Sequence, residues 1–151
     1  MLYLKKLSFC SIFFLILFVS CDDNEINIAD KIGEDFIYLI ENSENVNKID
    51  KIEHFKSTYK HLNYSILILP PYRYENDLDN FNLNLSPADK NKIIEILNCR
   101  EEICLFILVN NELIFYKYNS DLSKSISTKG NAAILDQANI DKLFDYIEFT
   151  K

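Results

Sequence analysis

The apolar positions of this chain change period several times, and each period assigns an element. Residues 7–19 form an uncharged apolar run. Further on, Ile28, Ile32, Phe36, Leu39 and Ile40 fall on one face at helical spacing, so residues 28–41 read as an amphipathic helix. Gly33 inside it weakens that helix by about 1 kcal/mol relative to Ala. A polar break follows at residues 42–47, with Ser43 as candidate cap, and then Val46, Ile49, Ile52, Phe55, Tyr59 and Leu62 recur about every three residues. A second helix is the expectation there. Residues 64–69 are a short apolar run stopped by Pro70 and Pro71, the pattern of a buried strand.

Residues 70–85 are the longest irregular stretch, and a loop of that length in a compact domain is functional or mobile. Ser86, Pro87 and Asp89 then supply a cap, a first-turn proline and a first-turn acid for a helix that buries Ile93, Ile94 and Leu97 and ends near Asn98. Two apolar segments, 105–109 and 113–118, flank Asn110, Asn111 and Glu112 and predict a β-hairpin, because Asn tolerates the positive φ of such turns. Residues 119–130 are polar and Ser-rich, interrupted by Leu122 and Ile126, and read as a loop with a short edge strand. Asp136 is placed to cap a last helix lined by Ile140, Leu143, Phe144 and Ile147. The order α-α-β-α-β-β-α predicts one α+β domain over residues 28–151, an antiparallel-rich sheet with helices on one face.

Two lysines, Lys5 and Lys6, precede the first apolar run, and Ser20 and Cys21 follow it. The run is too short to span a hydrocarbon core, which takes about 20 residues, so it reads as an export signal. Its ending, Leu17-Phe18-Val19-Ser20-Cys21, resembles the lipobox of bacterial lipoproteins, with Phe18 where that family usually has Leu. The resemblance covers residues 1–21. It implies removal of residues 1–20, lipid attachment to Cys21, and a polar tether over residues 21–27 that holds the domain close to the membrane. Asp22 and Asp23 resemble an inner-membrane retention signal of some enterobacterial lipoproteins, whereas the acid-rich start Asp22-Asp23-Asn24-Glu25 resembles surface-export signals of Bacteroidetes lipoproteins. Either way the address is the bacterial cell envelope.

Loss of that signal changes the charge. The full chain of 151 residues carries a net charge of -7, and removing Lys5 and Lys6 takes it to about -9. Such a balance argues against nucleic acid and anionic lipid, which demand clustered Lys and Arg, and favours encounter with a basic partner. Of the four cysteines, Cys10 leaves with the signal and Cys21 is taken by lipid, leaving Cys99 and Cys104. In an exported protein their default is a disulfide, whose short loop stabilises by roughly 2 kcal/mol; buried thiols, a metal site or a redox pair are the alternatives.

Two glycines, Gly33 and Gly130, cannot build a phosphate-cradling loop, a dinucleotide fingerprint or a nucleophile elbow. His54 and His61 are the only histidines; on one continuous helix they sit too far apart for a shared metal, and Asp50 lies one turn before His54 as a partner for general-base chemistry. Glu75, Asp77 and Asp79 alternate with Asn76, Asn80, Asn82 and Asn84, an oxygen-rich run without the glycine and distal Glu of an EF-hand. Just before it, Tyr72, Arg73 and Tyr74 are residue types that dominate interface hot spots, so Tyr72, Arg73, Tyr74, Glu75, Asp77 and Asp79 form the candidate partner-binding set. Tyr116 and Tyr118 on the hairpin are cross-strand packing or a second contact.

These observations lead to the expectation of a membrane-tethered envelope binding protein, most concretely an inhibitor or immunity-type protein that sequesters a protein partner. The alternatives are an accessory subunit of an envelope assembly and a small envelope hydrolase using loop carboxylates with His54 or His61. No cofactor beyond the covalent lipid on Cys21, no metal, and no nucleotide or nucleic-acid partner is expected.

Overall fold

A computed structural model describes residues 26–42, 47–70, 78, 83–98, 102–118, 126–129 and 132–149. The export signal, Cys21, the start of the tether, Ser43, Cys99, and the set Tyr72, Arg73, Tyr74, Glu75, Asp77 and Asp79 lie outside the described residues. In chain order the elements are α1 (Ile26–Glu41), α2 (Lys48–Thr58), β1 (Tyr64–Leu69), α3 (Pro87–Asn98), β2 (Cys104–Val109), β3 (Glu112–Tyr118), β4 (Ile126–Thr128), β5 (Ala133–Asp136), a 3-10 turn (Ile140–Lys142), α4 (Leu143–Tyr146) and β6 (Ile147–Phe149).

The α+β class holds, with a four-stranded antiparallel sheet in the order β3-β2-β1-β5 and a separate two-stranded sheet of β4 and β6. Strand β1 is central: Ile66 faces Ile107 of β2 on one side and Leu135 of β5 on the other. The hairpin of β2 and β3 turns on Asn110 and Asn111, with φ of 52° and 67°, which is the left-handed pair a two-residue type I′ turn requires. A register shift between Ile107 and Leu108 bulges β3 at Ile114.

Helices cover both faces of this sheet, and not one as the sequence pattern suggests. On the first face Tyr64, Ile66, Ile68, Leu105, Ile107 and Leu135 are buried beneath Ile32, Phe36 and Ile40 of α1 and Ile52 and Phe55 of α2. On the second, Leu67, Leu69, Cys104, Phe106 and Leu108 are buried with Ile93 of α3 and with Leu78. The reason lies in the two central strands, which read YSILIL and CLFILV and are apolar at both alternating positions. A strand that is greasy on both sides needs two lids, as in sheets buried between layers.

Local chemistry sets several boundaries. At the start of α3 the Ser86 hydroxyl accepts the Asp89 N–H at 3.1 Å and donates to the Asp89 carboxylate at 2.8 Å, a reciprocal cap. Helix α2 stops at Thr58, whose hydroxyl turns back to the His54 carbonyl at 2.8 Å. His61 therefore sits in the following turn, and the two histidines share no helix. Gly33 has a packing role: a Cβ there would overlap the Phe115 ring, so the glycine lets α1 lie directly on β3.

The expected last helix forms in shortened form: the 3-10 turn and α4 run together over residues 140–146 and bury Ile140 and Leu143, but the segment ends in a strand. Asp136 ends β5, and its carboxylate accepts the N–H groups of Ala138 at 2.9 Å and Asn139 at 3.0 Å, capping a turn. After the two short helical turns Ile147–Phe149 pairs with β4, setting Ile126 opposite Phe149 and Thr128 opposite Ile147. A few helical residues are unstable alone, whereas the β-branched and aromatic pair Ile147 and Phe149 gains cross-strand packing. Among the described residues no helix is long and apolar enough to cross a membrane.

Candidate functional site: the cleft between the first two helices

Helices α1 and α2 form a helical hairpin whose outer seam opens into a cleft of about 320 Å³. Asp35, Tyr38 and Leu39 reach it from α1, an i, i+3, i+4 set that shares one face; Asp50, Lys51, His54, Phe55 and Thr58 reach it from α2, with Tyr59 just beyond. Leu39, Phe55 and Tyr59 are buried and form its apolar floor, the Phe55 and Tyr59 rings lying 4.8 Å apart. Phe55 is itself held edge-on by Phe36 at 5.7 Å and Tyr64 at 5.8 Å. Such aromatic clusters are stiff, so the floor gives the polar rim a fixed base.

The rim carries the charge. The Tyr59 hydroxyl donates to Asp35 Oδ2 at 2.6 Å, the short length of a charge-assisted bond. Burial, reinforced by that hydrogen bond and the Asp35 charge, pushes the Tyr59 hydroxyl well above its ordinary range, so it stays a donor. An ionised carboxylate accepts several hydrogen bonds, and one from Tyr59 orients Asp35 without exhausting it. Lys51 donates to the Asn42 carbonyl at 2.6 Å and its ammonium stands 5.5 Å from the Tyr38 ring centre. Tyr38 is 61% exposed although it is a large aromatic side chain. Asp50 and His54, one helical turn apart, are both exposed at the same seam.

The cleft thus joins Asp50 with His54, as helical spacing anticipates, and excludes His61 from its lining. It also gathers Asp35, Tyr38, Lys51 and Tyr59, which the sequence reading did not single out. Their sequence signals are slight: Asp35 and Tyr38 flank the apolar stripe of α1 beside Leu39, and Tyr59 continues the apolar series of α2. Of the expected disulfide pair, Cys104 is described: it is buried on the second sheet face, with its Sγ 3.5 Å from the Glu102 carbonyl oxygen. Tyr116 and Tyr118 stack at 6.3 Å along β3, with the Lys92 ammonium 4.8 Å from the Tyr116 ring centre, and Tyr116 is 41% exposed. Among the described residues no group of three His, Cys, Asp or Glu side chains is arranged to hold a metal ion.

Chemically the cleft offers two carboxylates, that of Asp35 oriented by Tyr59, with an imidazole and an exposed aromatic face over an apolar floor. That set binds a cationic group better than an anionic one. Compared with known proteins, the chain matches no family model, no curated protein and no solved structure.

Proposed function

We propose that this chain is a lipid-anchored protein of the bacterial envelope that binds a protein partner, as an inhibitor or immunity protein does. In this reading the N-terminal segment directs export, Cys21 carries the lipid, and Cys99 and Cys104 are bridged in the oxidising compartment. The observation that carries the binding role is Tyr38, a large aromatic left 61% exposed at the rim of a cleft lined by Asp35 and Asp50. Exposed tyrosines beside a pocket are characteristic interface anchors, and a net charge of -7 over the full chain steers a basic partner toward the domain. The loop residues Tyr72, Arg73, Tyr74, Glu75, Asp77 and Asp79 supply a second contact.

Chemical cross-linking of the full chain in the envelope of its source organism tests the role. The expected result is one stoichiometric protein adduct that weakens at high salt; recovery of no adduct at low salt removes the reading. Fractionation tests the anchor, since Cys21→Ser moves the protein to the soluble fraction. A hydrolase is the second reading, favoured by Asp50 and His54 lining the same cleft one helical turn apart. It requires that His54→Ala abolish any turnover found.

A further inference from the structure

We infer that the α1–α2 cleft is a receptor for an arginine side chain of the protein partner, and that Lys51 is the chain's own cation occupying the aromatic part of that receptor until the partner arrives. The inference rests on the binding role proposed above and names the group bound. Its first support is intramolecular: the Lys51 ammonium already lies over the Tyr38 ring, at 5.5 Å, near the outer limit of about 6 Å for a cation–π contact. The ring therefore attracts a cation, yet the resident one is held at a distance by its 2.6 Å hydrogen bond to the Asn42 carbonyl. A flat guanidinium can stack directly on the exposed ring face, which a compact ammonium on that tether cannot.

The second support is charge complementarity. Two carboxylates, Asp35 and Asp50, line the cleft against the single ammonium of Lys51. Asp35 is oriented by the 2.6 Å hydrogen bond from Tyr59, so its geometry is set before any ligand arrives. A guanidinium presents several N–H groups in one plane and pairs with carboxylates in fork geometry, which favours arginine over lysine. The third support is shape. A volume of about 320 Å³ over a floor of Leu39, Phe55 and Tyr59 accepts a long side chain whose methylene stem lies on apolar surface. These features commit the site to a basic protein segment in place of a small anion or a lipid headgroup.

The test is an NMR titration of the full chain in detergent micelles with a capped Gly-Arg-Gly tripeptide, alongside its Lys and citrulline counterparts. Saturable shifts are expected at Tyr38, Asp50, Lys51, His54 and Thr58, smaller for the Lys peptide and absent for neutral citrulline. Tyr38→Leu, which alters an exposed position, is expected to weaken binding about two- to fivefold, and Asp35→Asn provides an independent loss. Lys51→Met is expected to tighten binding roughly threefold by vacating the ring. Lys142→Met, with the same charge change on the exposed 3-10 turn, is the control. Shifts scattered over the acidic surface, equal tightening by the two lysine variants, or equal binding of citrulline each overturn the inference. An envelope partner that binds the Tyr38→Leu protein unchanged sinks the inference and leaves the binding role standing. Cleft-specific Arg binding with no envelope partner captured overturns the binding role and, with it, the partner named in the inference, leaving only the cleft's selectivity for arginine.

Discussion

The two faces of the central sheet are built from the same strands but differ in kind. The second face is uniformly apolar, with Leu67, Leu69, Phe106 and Leu108 closed by Ile93 and its neighbours on α3. The first face holds more aromatic rings and brings polar atoms with them. Tyr59 reaches out to Asp35, while the hydroxyl of Tyr64, only 1% exposed, has no hydrogen-bond partner among the described residues. Its outer layer is a helical hairpin whose seam is the cleft. The difference is a division in kind: the second face is closed mainly by aliphatic side chains, whereas the aromatic face accepts some polar burial and carries a charged rim on its floor.

The largest effect that tests this division is on the second face. Phe106→Ala, at a fully buried site, is expected to lower the unfolding free energy by about 3–5 kcal/mol, measured by urea denaturation, while leaving the tripeptide affinity unchanged in the folded fraction. A loss of affinity there shows that the two faces are coupled. Alkaline pH probes the aromatic face. Burial first, and then the Asp136 charge, push the Tyr64 hydroxyl from its ordinary value of 10.0 up to about 12, with Lys56 partly opposing. Below about pH 10 the native and unfolded states both keep the proton; above it the unfolded state releases the proton first, so stability falls as pH rises. The contribution expected from Tyr64 between pH 10 and 12 is on the order of 2 kcal/mol, and the raised Tyr59 hydroxyl adds a loss of the same sign, together read as a falling Tm. A flat Tm across that window contradicts the burial of the Tyr64 hydroxyl.

Smaller effects sharpen the contrast. Gly33→Ala forces a Cβ against Phe115, and even after the gain in helix propensity it is expected to destabilise by about 1–2 kcal/mol. Pairing it with Phe115→Leu restores much of that loss if the ring contact is the cause. Tyr64→Phe is expected to change stability at pH 7 by less than about 0.5 kcal/mol, or to raise it, because it removes a buried hydroxyl with no described partner. The same variant is expected to lose less stability above pH 10 than the parent.

What was legible in the sequence was what neighbouring residues decide together. The hairpin could be placed because Asn110 and Asn111 both accept positive φ, and α3 because Ser86 and Asp89 cap it within one turn. The cleft was not legible in the same way. Asp35 and Tyr59 are 24 positions apart and meet only because α1 and α2 fold back on each other. Of its lining residues, Asp50 and His54 were visible as a pair because helical spacing alone puts them on one face.

The sequence by itself therefore determined the α+β class, the strand and helix order through β3, and the acidic character of the chain. Periodicity and caps act over a few residues, and a charge balance needs no fold at all. Only the tertiary structure decided that both sheet faces are covered, that Ile147–Phe149 leaves a helical pattern to pair with Ile126–Thr128, and that Tyr38, Lys51 and Asp35 share one cleft. Each of those outcomes is a competition settled by contacts between distant segments. A run such as CLFILV does not say what will cover it, and the spacing of Ile140, Leu143 and Ile147 satisfies a helix and a turn-plus-strand equally well until β4 is there to pair with.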